Sequence, residues 1–233
     1  FKEIIFNRIT MKLLSWDVGI KNLSYCILEK DDESNIDILH WGIINLQEND
    51  ELKKNRNLLF ENIPRKLNEL DCLLDVDKVV IENQPSLKNP QMKSIQMIVY
   101  SYFIMYGKVL SIKENKISEI DFCNASNKLK VYDGPQIILQ KKNRKKSSSD
   151  SNINDFNIVK DDIPSEEVEI AEKSKKKSVK LSYTDKKKMA IEHVKYFLKN
   201  DEKNLDFFNK HKKKDDLADS YLQGLYSFKV KKK

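Results

Sequence analysis

Four carboxylates stand where the hydropathy pattern of the chain breaks. Asp17 closes the apolar run in LLSWDVGIKN, Glu82 closes VVIE, and Asp216 and Asp219 lie in KKKDDLADSYLQGL. An acid at the end of a buried strand is costly unless it is paired or bound to a cation. Asp216 and Asp219 are i and i+3, so on a helix they project from one face. If the two strands are neighbours and the helix crosses their ends, the four acids converge, and cations must neutralise them. Oxygen donors of this kind suit Mg²⁺, with Mn²⁺ as a substitute. Two such ions about 4 Å apart clamp a phosphodiester for in-line attack. Asp215 and Asp219 are i and i+4 and would also share a face, so the helix offers two candidate pairs. Each piece has a blander reading, as a turn residue or a solvated helix face, and the joint occurrence carries the weight.

Positioning these acids requires strands and helices of particular kinds. Lys12–Ser15 with Asp17, Leu23–Glu29 and Ile36–Leu46 predict three strands rich in β-formers. A helix is expected from about Asp50 to Leu70, with Pro64 as a kink or break. Lys78–Glu82 is a short, continuously apolar strand, and Gln91–Leu110 a strongly apolar helix burying Met92, Ile95, Val99, Tyr102, Phe103 and Tyr106. A fifth strand is expected at Glu119–Ser126, and a helix at Tyr183–Lys199 capped by Thr184 or Asp185. The closing helix carries the DDxxD, with Leu217, Tyr221, Gly224, Leu225 and Phe228 packed opposite the acids. Gly19 allows a sharp turn after Asp17, and Asn22 is placed to tie that turn down. The pattern is that of an α/β domain with a mixed sheet.

The 233 residues suffice for one domain, expected over 11–233, with residues 1–10 an extension of unknown role. Residues 131–182 run basic, acidic and basic again with few apolar anchors, which predicts a flexible insertion. The net charge of +7 is concentrated in lysine runs such as Lys141–Lys146 and Lys210–Lys214, which favour a polyanionic partner. Lys88, Lys93, Lys128 and Lys130 follow the acidic strand ends and are candidates for a DNA-facing surface. Cys26, Cys72 and Cys123 form no CxxC pair and predict reduced residues of an intracellular, unsecreted protein. No apolar stretch approaches the ~20 residues that span a membrane. His40, His193 and His211 are scattered and predict core, helix-surface or loop roles. A sugar-kinase-like ATPase would need glycine-rich phosphate loops, and none of the five glycines, at 19, 42, 107, 134 and 224, forms one.

LLSWDVGIKNLSYCIL, VVIENQPSLKNPQMKSIQ and KKKDDLADSYLQGL together resemble the acidic motifs of Holliday-junction resolvases of the RuvC type. The resemblance is nearest to the yeast mitochondrial and poxvirus-like branches and runs from Met11 to about Phe228, apart from the insertion. It implies a ribonuclease-H-like fold with a mixed five-stranded sheet, a homodimer, and paired Mg²⁺-dependent nicks in four-way junction DNA. By motif, Asp17, Glu82, Asp216 and Asp219 become the metal-binding and catalytic tetrad, with two ions per site. Asp216 is preferred to Asp215 because the bacterial and poxvirus branches carry DxxD. A virus-encoded member would act in the host cell where viral DNA replicates. The alternatives are a catalytically silent DNA-binding protein and a ribonuclease-H-like nuclease of other substrate choice.

Overall fold

A computed structural model describes residues 10–87, 89–112, 117–135, 137 and 182–229. Among the described residues five strands form one sheet: β1 Met11–Asp17, β2 Asn22–Lys30, β3 Ile36–Asn45, β4 Lys78–Glu82 and β5 Glu119–Cys123. Their order is β3-β2-β1-β4-β5. β1 is antiparallel to β2 but parallel to β4, and β4 is parallel to β5. The sheet is therefore mixed, and β1, β4 and β5 all end at the same edge. Trp16 pairs with Ile81, so the next residues, Asp17 and Glu82, emerge side by side.

Side-chain alternation along the strands decides which way those acids face. Leu14, Trp16, Val79 and Ile81 point to one face and join a core with Leu59, Ile63, Ile95, Val99 and Phe103. That layer is built by α2 Arg56–Asn68 and α3 Pro90–Phe103. Leu13, Ser15 and Asp17 point to the other face, as do Val80 and Glu82. There α4 Tyr183–Phe197, α5 Glu202–Lys210 and α6 Lys214–Lys229 pack on Cys26, Leu28 and Trp41. Trp41 stacks on Phe208 and donates from Nε1 to the Leu217 carbonyl. Burying a large apolar side chain contributes roughly 1.5–3 kcal/mol, so both layers fasten the sheet from which the acids project.

Several local expectations are corrected. The helix expected from Asp50 to Leu70 is two helices, α1 Asp50–Lys54 and α2. The break falls at Asn55, whose side chain accepts from the amides of Asn57 and Leu58 and so starts α2 afresh. Pro64 lies within α2. The helix over Gln91–Leu110 is α-helical only to Phe103 and continues as a π-helical segment, Ile104–Val109. Ser182, not Thr184 or Asp185, caps α4 by accepting from the Asp185 amide. α5 had no clear signal in the sequence. Gly19 does not have positive φ. A Cβ there would collide with the Asn22 carbonyl oxygen, so the glycine is required by a close backbone approach.

Most of the expected insertion at 131–182 and of the 1–10 extension lies outside the described residues, as do Lys88 and the basic run Lys141–Lys146. Among the described residues, no helix is long and apolar enough to cross a membrane. Cys26, Cys72 and Cys123 are free thiols. His193 is buried against Tyr132, His40 lies on β3, and His211 closes α5.

Candidate active site

Beyond its acids, the acid face of α6 is buried as well as its apolar face, because Ser220 and Gln223 on it bond to the sheet. Ser220 and Ser24 share a hydrogen bond of 2.8 Å. Gln223 donates to Ser15 Oγ at 3.1 Å and to the Trp16 carbonyl at 3.0 Å. Gly224 allows the close approach, since a Cβ there would lie 2.7 Å from Leu28 Cδ1. These contacts set the helix across the ends of β1 and β4 with Asp219 one turn before Gln223.

Three carboxylates then meet a single ammonium. Lys128 Nζ lies 3.0 Å from Asp17 Oδ1, 3.1 Å from Glu82 Oε1 and 2.7 Å from Asp219 Oδ2. Lys128 is carried by a 3₁₀ turn, Ala125–Val131, that follows β5. Asp216 stands beside this group and accepts from Asn22 Nδ2 at 2.8 Å. The Asn22 side chain, expected to tie down the turn, thus holds the helix-borne acid. Asp215 is tied instead to Lys187 of α4, at 2.5 Å. Gln84 fixes Glu82, donating from Nε2 to Oε2 at 2.6 Å. The Gln84 backbone N–H donates to Gln96 Oε1 of α3.

Burial, and then the neighbouring charge of Asp17, push the Glu82 carboxyl up to about 8. The same causes push Asp219 up to about 6. Burial and the charges of Asp215 and Asp17 raise Asp216, against the hydrogen bond from Asn22. Burial alone would lower Lys128, but Asp17, Asp219 and Glu82 outweigh it and hold the ammonium firmly charged. Burial would also raise Asp215, yet Lys187 wins and depresses it.

Linkage gives this a measurable sign. Glu82 binds its proton more tightly folded than unfolded, so the stability it contributes is complete below its ordinary 4.5 and is lost as pH rises to about 8. His193, lowered by burial to about 4, finishes its own change near its ordinary 6.5. In chelator-containing buffer the melting temperature should therefore fall between pH 6.5 and 8, by roughly 2–4 °C for ~1 kcal/mol. Glu82→Gln should flatten that slope. An unchanged slope in the variant would show that another group titrates.

Oxygen donors from β1, β4 and α6 already converge on one cation, so their chemistry fits a hard divalent ion. Their present spacing suits the ammonium. Among the described residues, no group of three or more His, Cys, Asp or Glu is set to hold a metal as it stands. Lys128 would have to withdraw. The cleft around the acids encloses about 600 Å³ and is also lined by Lys21, Lys186, Lys187, Lys213 and Tyr183.

Of the lysines expected to face DNA, Lys128 sits at the centre of the acids. Lys93 donates to Asn83 and Gln96 at the base of α3, and Lys130 donates to Asn127. Lys128 was thus placed near the site by sequence but not in it. NASNKLKV has no period that separates a buried lysine from a solvated one.

No family model matches the chain. An uncharacterized protein of Acanthamoeba polyphaga mimivirus is 34% identical over 168 residues, which are 71% of this chain and 32% of that protein. The chain thus spans about a third of the length of the curated relative it matches. The solved structure of fowlpox virus resolvase with substrate Holliday junction DNA superposes with a TM-score of 0.52 at 18% identity, covering 94% of this chain and 100% of that one. The yeast mitochondrial Holliday junction resolvase gives 0.52 at 14% identity, covering 93% of this chain and 78% of that one. The chain has the ribonuclease-H-like fold of these resolvases, and the resemblance drawn from its three motifs extends to three dimensions.

Proposed function

We propose that this chain is a structure-selective endonuclease that resolves four-way DNA junctions by hydrolysing phosphodiesters with Mg²⁺. The observation that supports this most is the convergence of Asp17, Glu82 and Asp219 on one cationic point, with Asp216 adjoining, inside a lysine-rimmed cleft. The fold shared with two resolvases is consistent with it.

Asp17, Glu82, Asp216 and Asp219 would hold the divalent ions, Mg²⁺ or Mn²⁺, two per site. When bound, such ions supply Lewis acidity and an activated water. Asp17 and Glu82 are presented from strand ends, which fixes their positions before substrate arrives. Gln84 keeps one Glu82 oxygen engaged and so orients the other. Lys128, released from the acids, places a positive charge where a phosphate oxygen would lie. Lys21, Lys186 and Lys213 at the rim would hold flanking phosphates and draw the strand into the cleft.

One acid cluster cuts one strand, and a four-way junction has two-fold symmetry, so the working unit in this reading is a C2 homodimer. α3 and its π-helical extension offer a surface for a second copy. Met97, Met105 and Leu110 are exposed there around a groove of about 400 Å³, and Val109 is exposed next to Leu110. The related mimivirus protein fits a viral source, and in that setting the enzyme would work where viral DNA replicates in the host cell.

The test is cleavage of a synthetic junction and of its linear duplex by purified protein with Mg²⁺, alongside sedimentation with and without junction. The expected result is paired symmetric nicks in the junction alone, by a dimer. Junction binding without cleavage in Mg²⁺ or Mn²⁺ would leave a silent DNA-binding protein. Equal cutting of linear substrates would leave a nuclease of other choice.

A further inference from the structure

The cleft carries an exposed aromatic side chain that the acid chemistry does not use. Tyr183, the first residue of α4, leaves 75% of its surface in solvent. Among the described aromatic residues the next most open is Phe122, and it packs on Tyr100 with Lys93 over its ring. No described ring packs on Tyr183. Lys187, one turn along α4, places its Nζ 5.1 Å from the Tyr183 ring centroid and binds Asp215 with the same ammonium. The ring is thereby held beside the acids, on the wall that Lys186 and Lys213 also line.

An open aromatic face costs hydration and is usually buried. Set among ammonium groups, it matches a nucleotide: the base stacks on the ring and the phosphates meet the lysines. We propose that Tyr183 is a base-stacking platform, taking an unstacked nucleobase next to the phosphodiester that lies over the acids. This rests on the nuclease reading for the identity of the strand. Within continuous duplex every base face is occupied, whereas stacking is interrupted at a branch point. The platform therefore favours branched over linear DNA.

The test uses protein made inactive by Asp17→Asn and junctions carrying 2-aminopurine at positions flanking the crossover. Binding should change the fluorescence at one such position. Adding Tyr183→Ala should abolish that change and weaken junction binding about tenfold, or ~1.4 kcal/mol, with duplex binding altered less than twofold. Tyr183→Phe and Tyr183→Trp should preserve both signals. Unaltered junction affinity and fluorescence in Tyr183→Ala would overturn the platform. So would equal losses on junction and duplex, which describe a general contact or a folding defect. The readout is binding, so its failure is separable from a wild-type protein that proves unable to cut DNA.

Discussion

Asp17→Asn is expected to abolish junction cleavage, by a factor on the order of 10³, while junction binding is kept or tightened. The substitution keeps the shape and the contact with Lys128, because the introduced amide carbonyl can still accept from the ammonium now 3.0 Å from Asp17 Oδ1. It removes one negative charge from a place where three carboxylates share one ammonium. Repulsion toward a phosphate falls, and with it the capacity to hold a divalent cation. Folding should not suffer, since the charge that helps push Glu82 up to about 8 is gone. Glu82→Gln and Asp219→Asn should lose cleavage comparably. Asp216→Asn should be far more damaging than Asp215→Asn, because Asp216 adjoins Asp17 while Asp215 is committed to Lys187. Gel assays of nicking and filter binding at fixed Mg²⁺ read both quantities. Scission at the normal rate in Asp17→Asn, Glu82→Gln or Asp219→Asn would remove these acids from the chemistry.

The strands and their acids were legible in the sequence because period-two alternation and continuous apolar runs are strong signals. In β1 the apolar run fixes the strand, and parity then puts Asp17 on the same face as Ser15. α6 was legible as a helix but not in its packing. Its buried polar stripe, Ser220 and Gln223, reads as surface in hydropathy and becomes interior only because Ser24, Ser15 and Trp16 offer partners. The break at Asn55 was invisible for a related reason. An asparagine cap competes with helix propagation by side-chain hydrogen bonds, whereas the more conspicuous Pro64 is accommodated within the helix. α5 is nine residues long and anchored by one fully buried side chain, Phe208, so its periodicity had little room to show. The ammonium at the centre of the acids is a tertiary fact. It arises from β5 delivering a 3₁₀ turn to the ends of β1 and β4, and no local spacing encodes that.

Lys128→Met should produce the largest change in stability and should enlarge the protein's response to divalent cations. In wild type one ammonium offsets part of the charge of Asp17, Glu82 and Asp219. Methionine keeps the length of the stem but leaves those acids uncompensated, and breaking a buried ion group in this way costs about 3–5 kcal/mol. In chelator the variant should therefore melt well below wild type, by roughly 6–20 °C at ~2–4 °C per kcal/mol. Added Mg²⁺ should restore much of the loss, since a ligand at a hundred times its Kd contributes about 2.7 kcal/mol. Wild type should gain less, because there the ion must displace an ammonium already in contact. Calorimetry should accordingly find tighter Mn²⁺ binding in the variant than in wild type. With the ammonium gone, Glu82 should bind its proton more tightly still, because Lys128 now opposes the upward push. The fall in melting temperature with rising pH should then continue to higher pH in the variant than in wild type when no divalent ion is present. Melting unchanged in chelator, or no added response to Mg²⁺, would mean that the acids do not depend on Lys128 for their neutralisation.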